Sequence, residues 1–134
     1  MVNKIEHIGI AVKNLDVANE LYEKLLGTKP YKTEKVDSEG VETSFFRTGN
    51  SKIELLQATT NNSAIASFIN KKGEGIHHIA FEVTNIHDEI NRLKAEGYSI
   101  INEIPKKGAD NKLICFVHPK NTSGVLIELC QEID

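Results

Sequence analysis

Two histidines and two glutamates occur at matching places in the two halves of this 134-residue sequence. The offset in residue number is 71 from His7 to His78 and 74 from Glu54 to Glu128. The segments around them recur as well, since EHIGIAV is followed later by HHIAFEV, and IELLQ by IELCQ. Neutral imidazoles and carboxylates are common ligands of divalent metal ions, so four such residues brought together would form a metal site.

The matched spacing favours a metal site over a purely structural role. A lone histidine in a strand is most often a hydrogen-bonded core residue, but such a residue needs no carboxylate that recurs at a matched offset. Two carboxylates would balance the charge of a divalent ion, and an octahedral ion would keep positions open for substrate oxygens. We therefore expect Co, Ni, Mn or Zn as a cofactor held by His7, Glu54, His78 and Glu128. His77 is not expected to be a ligand, because adjacent strand residues point to opposite sides.

Each half of the sequence is predicted to form a strand, a helix and three further strands. The first half contains a strand at 5–12, a helix at 15–26 that ends at Gly27, and strands at 31–36, 42–48 and 52–57. The second half contains a strand at 76–83, a helix from 86 to 97, and strands near 99–103, 113–118 and 125–131.

One domain, 1–134, is expected to hold both halves, since this length is enough for a single substantial core. It divides into a first βαβββ module at 1–58, a polar linker with a short amphipathic helix at 59–75, and a second βαβββ module at 76–134. The predicted fold class is therefore α+β with two paired modules. The first helix is predicted from the helical spacing of its apolar residues, Leu15, Ala18, Leu21, Leu25 and Leu26.

Composition excludes several classes of function. The formal net charge is -3 and the basic residues are dispersed, so a nucleic-acid partner is not expected. No apolar stretch is as long as a membrane span and the first residues lack the core of a secretory signal, so no membrane association and a cytoplasmic location are expected.

Cys115 and Cys130 lie in apolar strands, where a thiol usually behaves as a small buried hydrophobe. Cys130 shares a strand face with Glu128, although a fifth ligand is not needed.

Three short motifs in the sequence resemble those of a known family. The motifs are Glu-His-Ile near the start, GIHHIAF in the middle, and His118-Pro119-Lys120 followed by GVLIEL. Together they are similar to the vicinal-oxygen-chelate (glyoxalase/bleomycin-resistance) superfamily, and within it most similar to the methylmalonyl-CoA epimerases. The resemblance covers essentially the whole chain, and the third motif is the most specific to epimerases. It implies two βαβββ modules that form an incomplete eight-stranded barrel around a divalent metal.

The resemblance also implies a reaction and its catalytic residues. Proton transfer at C2 of an acyl-CoA substrate would interconvert (2R)- and (2S)-methylmalonyl-CoA through a metal-stabilised enolate, with a proton acceptor on one face and a donor on the other. We expect Glu128 to be one base, with Glu54 or Glu42 as the other. Family members carry a separate catalytic Glu three residues after a turn glycine, where this chain has Thr43. Glu42 stands one position early and would serve only if a β-bulge re-aimed it.

Two cationic side chains are expected to contact the substrate. Arg47 shares a strand face with Thr43 and would meet a substrate carboxylate or a CoA phosphate, while Lys120 would meet a phosphate at the rim. The structural alternatives are that Arg47 is an ordinary surface arginine and that Lys120 is simply solvated.

Two alternative functions are considered. The nearer one is a glyoxalase I type isomerase with the same ligand set, and the more distant one is a non-enzymatic antibiotic-binding protein. By analogy with other superfamily members, a homodimer is also expected.

Overall fold

The computed structural model describes all residues from Met1 to Asp134. It contains eight strands and three α-helices, with a βαβββ order that occurs twice and one helix between the two sets. The elements are β1 (Val2–Ala11), α1 (Leu15–Leu26), β2 (Lys32–Val36), β3 (Val41–Thr48), β4 (Ser51–Ala58), α2 (Ala64–Lys72), β5 (Gly75–Val83), α3 (Ile86–Ala95), β6 (Lys106–Lys107), β7 (Lys112–Val117) and β8 (Ile127–Glu132). None of the helices is both long and apolar enough to cross a lipid bilayer.

The chain divides into two compact units. One unit is His7–His77, and the other combines Met1–Glu6 with His78–Asp134. Strand β1 therefore contributes its first residues to one unit and its remaining residues to the other. Within the second of these units, the backbone NH of Thr84 donates to the carbonyl of Met1 over 3.1 Å, which attaches the chain start to the end of β5.

In the unit His7–His77, the strand order is β2, β3, β4, β1, and β1 runs parallel to its neighbour β4. Helix α1 begins where the side chain of Asn14 accepts a hydrogen bond from the backbone NH of Val17, and it ends at Gly27 in the left-handed conformation. One sheet face packs against α1 through Phe46 and Leu55. The opposite face packs against α2 in a separate cluster.

The second module repeats this plan. Its strand order is β5, β8, β7, β6, and β5 runs parallel to β8. The side chain of Asn85 caps α3 by accepting from the backbone NH of Asp88, as Asn14 does for α1. Its core combines Ile86 and Ile90 of α3 with residues of β5, β7 and β8. Both predicted helices are therefore confirmed, and α1 ends at Gly27 as predicted.

The glutamine that ends each repeated IELxQ segment joins a strand to a helix. The side-chain oxygen of Gln57 accepts from the backbone NH of Leu15 over 2.6 Å, and that of Gln131 accepts from Ile86 over 2.7 Å. The first NH groups of a helix have no partner inside the helix, so each glutamine satisfies one of them. The last strand of each module thereby fixes where its helix begins.

Only some of the apolar residues that predict α1 are buried. Leu15 and Ala18 are buried and Leu26 packs against the same cluster, but Leu21 and Leu25 are 62% and 73% exposed. Residues 15, 18 and 26 recur at the spacing of one helix face, whereas 21 and 25 are rotated away from that face. The apolar residues of this helix therefore lie on two different faces, and only one of these faces is buried.

The predicted strand at 99–103 is wrong. Only Ile100 forms an isolated bridge, with Val117, and the strand beside β7 is instead the very short β6. The side chain of Asn102 accepts from the backbone NH of Phe116 over 3.0 Å and donates to the carbonyl of Ile114 over 3.1 Å. Main-chain pairing ends at Ile101, whose backbone NH donates to the carbonyl of Phe116 over 2.8 Å. From Asn102 onward a side chain takes its place, so a regular strand does not form there.

Glu89 is a buried carboxylate on α3 whose pKa is held below its ordinary value. It is 4% exposed. The largest cause is a hydrogen bond from the terminal ammonium of Met1, and Arg92 adds a hydrogen bond of 2.7 Å and its charge, while burial acts in the opposite direction. The folded state therefore stabilises the ionised carboxylate.

Replacing Glu89 by glutamine should lower the free energy of unfolding near neutral pH by about 1–3 kcal/mol, because hydrogen bonds to a charged group are lost. A lowered folded pKa means that this contribution is complete above the ordinary value of 4.5 and is lost as the pH falls through the folded value. The difference between wild type and variant should therefore shrink below pH 4.5 in urea unfolding at a series of pH values. Glu103→Gln, which removes an exposed ion pair with Lys94, should change stability by less than about 1 kcal/mol. A difference for Glu89→Gln that does not change with pH would contradict this prediction.

Candidate active site

The first module brings one predicted histidine and one predicted glutamate together. Nδ1 of His7 lies 3.1 Å from Oε2 of Glu54, and the two side chains are only 6% and 5% exposed. In the parallel pairing of β1 with β4, Gly9 is directly opposite Glu54. His7 is two residues before Gly9 and therefore on the same face of the strand. Because Gly9 has no side chain, the imidazole can reach across it to the carboxylate.

The second module contains the same arrangement. Nε2 of His78 lies 3.3 Å from Oε1 of Glu128, and both side chains are buried much as in the first pair. Ala80 is directly opposite Glu128 in the parallel pairing of β5 with β8, as Gly9 is opposite Glu54. A small residue two positions after the histidine thus makes room for the contact in both modules. Each His–Glu pair predicted from the repeat is present in its module.

A phenylalanine flanks each glutamate on the antiparallel neighbouring strand, and the one in the second module was not predicted from the sequence. Phe45 is directly opposite Glu54, and Phe116 is directly opposite Glu128. The ring of Phe116 also meets His78 edge-on, with ring centres 6.1 Å apart. The two phenylalanines are related by the same sequence offset as the two histidines, so the spacing contained a usable signal.

This donor chemistry suits a divalent cation. A carboxylate buried beside an aromatic ring loses its hydration and is stable only when cations or hydrogen-bond donors replace the water. In each unit the carboxylate lies beside an imidazole, which can itself act as a metal ligand. Each pair therefore offers one nitrogen and one oxygen donor of the kind that divalent transition metals prefer.

The register of β3 fixes the directions of Glu42 and Thr43. Pairing between β3 and β4 is continuous from Val41 to Thr48, without a bulge, and it places Glu42 opposite Gln57. Because side chains alternate along a strand, Glu42 lies on the face opposite to that of Glu54, and Thr43 lies on the same face as Glu54. The bulge that would re-aim Glu42 does not occur.

Thr43 has an unusual environment for a hydroxyl group. It is completely buried, and its Oγ1 has no hydrogen-bond partner. Ser44, the next residue, is equally buried on the opposite face, and its Oγ also has no partner. A buried hydroxyl that has lost its hydrogen bonds to water and gained none in the protein destabilises the folded state.

The two predicted substrate-binding cations lie outside the buried core. The guanidinium of Arg47 lies 4.5 Å from the ring centre of Tyr31, so the aromatic face positions it at the end of β3. Lys120 lies in a turn of 3₁₀ helix after β7, and its backbone NH donates to Nδ1 of His118 over 3.0 Å. His118 therefore lies in a turn, where its side chain accepts from the backbone.

Three further residues with reactive side chains are not members of the His–Glu pairs: His77, Cys115 and Cys130. His77 packs edge-on against Phe68 of α2 with ring centres 5.1 Å apart, and burial, followed by the charge of Lys72, lowers its pKa. Both cysteines are buried free thiols. Burial raises the pKa of Cys115 to about 12, so this thiol is neutral near physiological pH.

Residues 6–116 match the family model described as Glyoxalase/Bleomycin resistance protein/Dioxygenase superfamily. The chain belongs to this superfamily. Among its curated relatives, an uncharacterized protein YqjC of Bacillus subtilis is 38% identical, over 97% of this chain and 93% of the relative. The mitochondrial methylmalonyl-CoA epimerase of Dictyostelium discoideum is 40% identical, over 96% of this chain and 78% of the relative.

A solved structure extends the comparison to the fold. The methylmalonyl-CoA epimerase of Mycobacterium tuberculosis superposes with a TM-score of 0.95 at 34% identity, covering 99% of this chain and 90% of that one. The predicted superfamily and α+β fold class are confirmed by these matches. They also confirm the expectation that the chain is an enzyme of the racemase or epimerase type.

Replacing Thr43 by valine should raise the free energy of unfolding by about 1 kcal/mol, because the unpartnered hydroxyl is removed without loss of volume. Ser44→Ala should likewise be neutral or stabilising. Urea unfolding of the purified variants measures both effects.

Ser63→Ala is the matched control for a buried hydroxyl that has a partner. Oγ of Ser63 accepts from the backbone NH of Ala66 over 3.1 Å and caps α2, so its loss should destabilise the protein by about 1 kcal/mol. If Thr43→Val destabilised the protein as much as Ser63→Ala does, Thr43 would have a stabilising partner and the prediction would be wrong.

Proposed function

We propose that this chain is a metal-dependent epimerase that interconverts (2R)- and (2S)-methylmalonyl-CoA. The observation that carries the proposal is the duplicated buried pair, one His beside one Glu at matching positions of each module. Relatives named methylmalonyl-CoA epimerase, matched over nearly the whole chain, support the choice of substrate.

His7, Glu54, His78 and Glu128 are proposed to hold one divalent ion. This ligand set rests on the repeat in the sequence and on the donor chemistry of each pair. When bound, the ion would stabilise the negative charge that develops on the thioester oxygen as the C2 proton is removed. A transition metal such as Co, Ni, Mn or Zn suits two imidazoles and two carboxylates.

The proton transfers are assigned to the two glutamates of the pairs. Glu128 takes the C2 proton from one face, the C–H electron pair moves into the enolate, and a carboxylic acid on the other face returns a proton to C2. We assign that second group to Glu54 because Glu42 lies on the opposite face of its sheet. Thr43, at the position of the separate family base, carries a hydroxyl that cannot act as a base near neutral pH.

Two cations are proposed to bind the charged ends of the substrate. Arg47 is positioned by Tyr31 and presents a planar guanidinium that can bind a carboxylate in two-point fashion. Lys120 presents an ammonium that suits a CoA phosphate. These contacts would position C2 and are not assigned any role in proton transfer.

Solvent deuterium exchange at C2 tests the assignment of the bases. In D₂O, wild type should exchange the C2 proton of both epimers, whereas Glu128→Gln should lose exchange from one epimer and Glu54→Gln from the other, each by at least about 100-fold. Glu42→Gln should exchange like wild type. Loss of exchange in Glu42→Gln, or unchanged exchange in Glu128→Gln, would refute the assignment.

Metal binding tests the ligand set independently of turnover. Stripping the protein with a chelator and titrating Co²⁺ in a calorimeter should give one site per chain. His7→Ala and His78→Ala should each weaken binding by at least about tenfold. His77→Ala is the matched control, because it removes the neighbouring imidazole that packs on Phe68. Weaker binding in His77→Ala, with unchanged binding in His78→Ala, would overturn the ligand set.

Substrate choice separates the proposal from its nearest rival. The metal-loaded enzyme should epimerise methylmalonyl-CoA and should not isomerise a glutathione hemithioacetal. Turnover of the hemithioacetal alone would identify a glyoxalase I type enzyme instead.

A further inference from the structure

Three basic residues lie side by side across neighbouring strands of the first module. Arg47 of β3 is directly opposite Lys52 of β4, and Lys52 is directly opposite His7 of β1. Lys52 is two residues before Glu54 and therefore lies on the same face of the sheet as this glutamate. The residues Arg47, Lys52 and His7 thus form a line beside Glu54, which we call the basic row.

Lys52 is the buried lysine of the basic row. It is only 6% exposed, whereas Arg47 is exposed. Burial of an ammonium is costly unless acceptors replace its water, and like charges directly opposite each other on neighbouring strands destabilise a sheet. An ammonium has three N–H donors, so Lys52 can serve an acceptor of the protein and an oxygen of a ligand at the same time. Two adjacent cations on this face therefore suit the binding of an anion.

The second module shows that the fold does not require a lysine at this place. The offsets that relate the two modules match Lys52 with Leu126 and Arg47 with His118. The His–Glu pair nevertheless forms in both modules, at 3.1 Å and 3.3 Å. Neither the strand pairing nor the contact between the histidine and the glutamate therefore explains why residue 52 is a lysine.

We propose that Lys52 binds the free carboxylate of a 2-carboxyacyl thioester and so selects this class of substrate over plain acyl thioesters. This inference rests on the proposed function, in which Glu54 exchanges a proton with C2 of methylmalonyl-CoA. The carboxylate is attached to C2, and Lys52 is about 7 Å from Glu54 along the strand, given about 3.3 Å per residue. An ammonium at that distance can bind the carboxylate while Glu54 acts on C2. Arg47, the exposed cation of the row, would add a second contact.

The basic row also gives the substrate a direction. The carboxylate of a 2-carboxyacyl thioester is charged and its thioester is not, whereas the two His–Glu pairs are built alike. Cations at positions 47 and 52, with His118 and Leu126 at the matching places, favour binding of the carboxylate against the first module. The two proton-transferring glutamates would then always meet the same two faces of C2.

Calorimetric titration of the Co²⁺-loaded protein with two thioesters tests the role of Lys52. Isobutyryl-CoA is methylmalonyl-CoA with a methyl group in place of the carboxylate. Wild type should bind methylmalonyl-CoA at least about tenfold more tightly than isobutyryl-CoA. Lys52→Leu, which introduces the residue type of the second module, should weaken methylmalonyl-CoA binding at least about tenfold and change isobutyryl-CoA binding by less than about twofold. Lys52→Arg, which keeps the charge, should retain most of the preference for the carboxylate.

Lys112→Leu is the matched control. Lys112 is 5% exposed, lies in the second module and pairs with Glu132 over 3.0 Å, so this variant also removes a buried lysine. It should bind both thioesters like wild type.

Three results would overturn the inference. They are a wild type without preference for the carboxylate, a Lys52→Leu variant that keeps the preference, and a Lys52→Leu variant that loses Co²⁺ binding along with it. The last result would mean that Lys52 acts through the metal ligand Glu54. Deuterium exchange at C2 reports the proposed function separately: a carboxylate preference that depends on Lys52, in a protein that does not exchange this proton, would support the binding site and refute the epimerase.

Discussion

Parallel pairing between the first and last strands of each module is the constraint on which the candidate site depends. The pairing of β1 with β4, and of β5 with β8, joins residues that are far apart in sequence and places Gly9 or Ala80 directly opposite a glutamate. A parallel pair needs a long crossover connection, which here contains a helix and two antiparallel strands. A shift of one residue in either register would turn the glutamate to the other face, away from its histidine.

In the last strand of each module, different residues contribute to the core, to the start of the helix and to the His–Glu pair. In β4, Glu54 faces His7, whereas Leu55 and Gln57 face α1. The hydrogen bond from the start of α1 to Gln57 fixes the helix on the strand that carries the glutamate. The same division of faces recurs in β8 with Glu128, Leu129 and Gln131. The position of each carboxylate is therefore tied to the packing of a helix, and not to a loop.

Residues whose role follows from local chemistry and from the repeat could be predicted from the sequence. Caps such as Asn14 and the His–Glu pairs are of this kind, because each depends on a residue type at a fixed spacing. The predicted strand at 99–103 does not form because the side chain of Asn102 competes with the backbone for hydrogen bonds. The spacing of apolar residues in a sequence carries no information about such competition. The buried face of α1 does not follow from apolar spacing alone, because an apolar residue such as Leu21 can face solvent as well as a core. The placement of Phe45 opposite Glu54 required the strand register, which only the structure supplies.

The two modules differ in length at one point that matters for their symmetry. The offset between corresponding residues is 71 up to Phe116 and 74 at Glu128, so the second module is longer by three positions in the connection that contains Pro119–Asn121. An insertion of this odd length within a strand would have reversed every side chain that follows it, but in a turn it leaves the register of β8 with β5 unchanged. After a duplication, a chain can diverge in length only at such places without losing its functional side chains. The longer turn therefore makes the two modules distinguishable, although their His–Glu pairs are built alike.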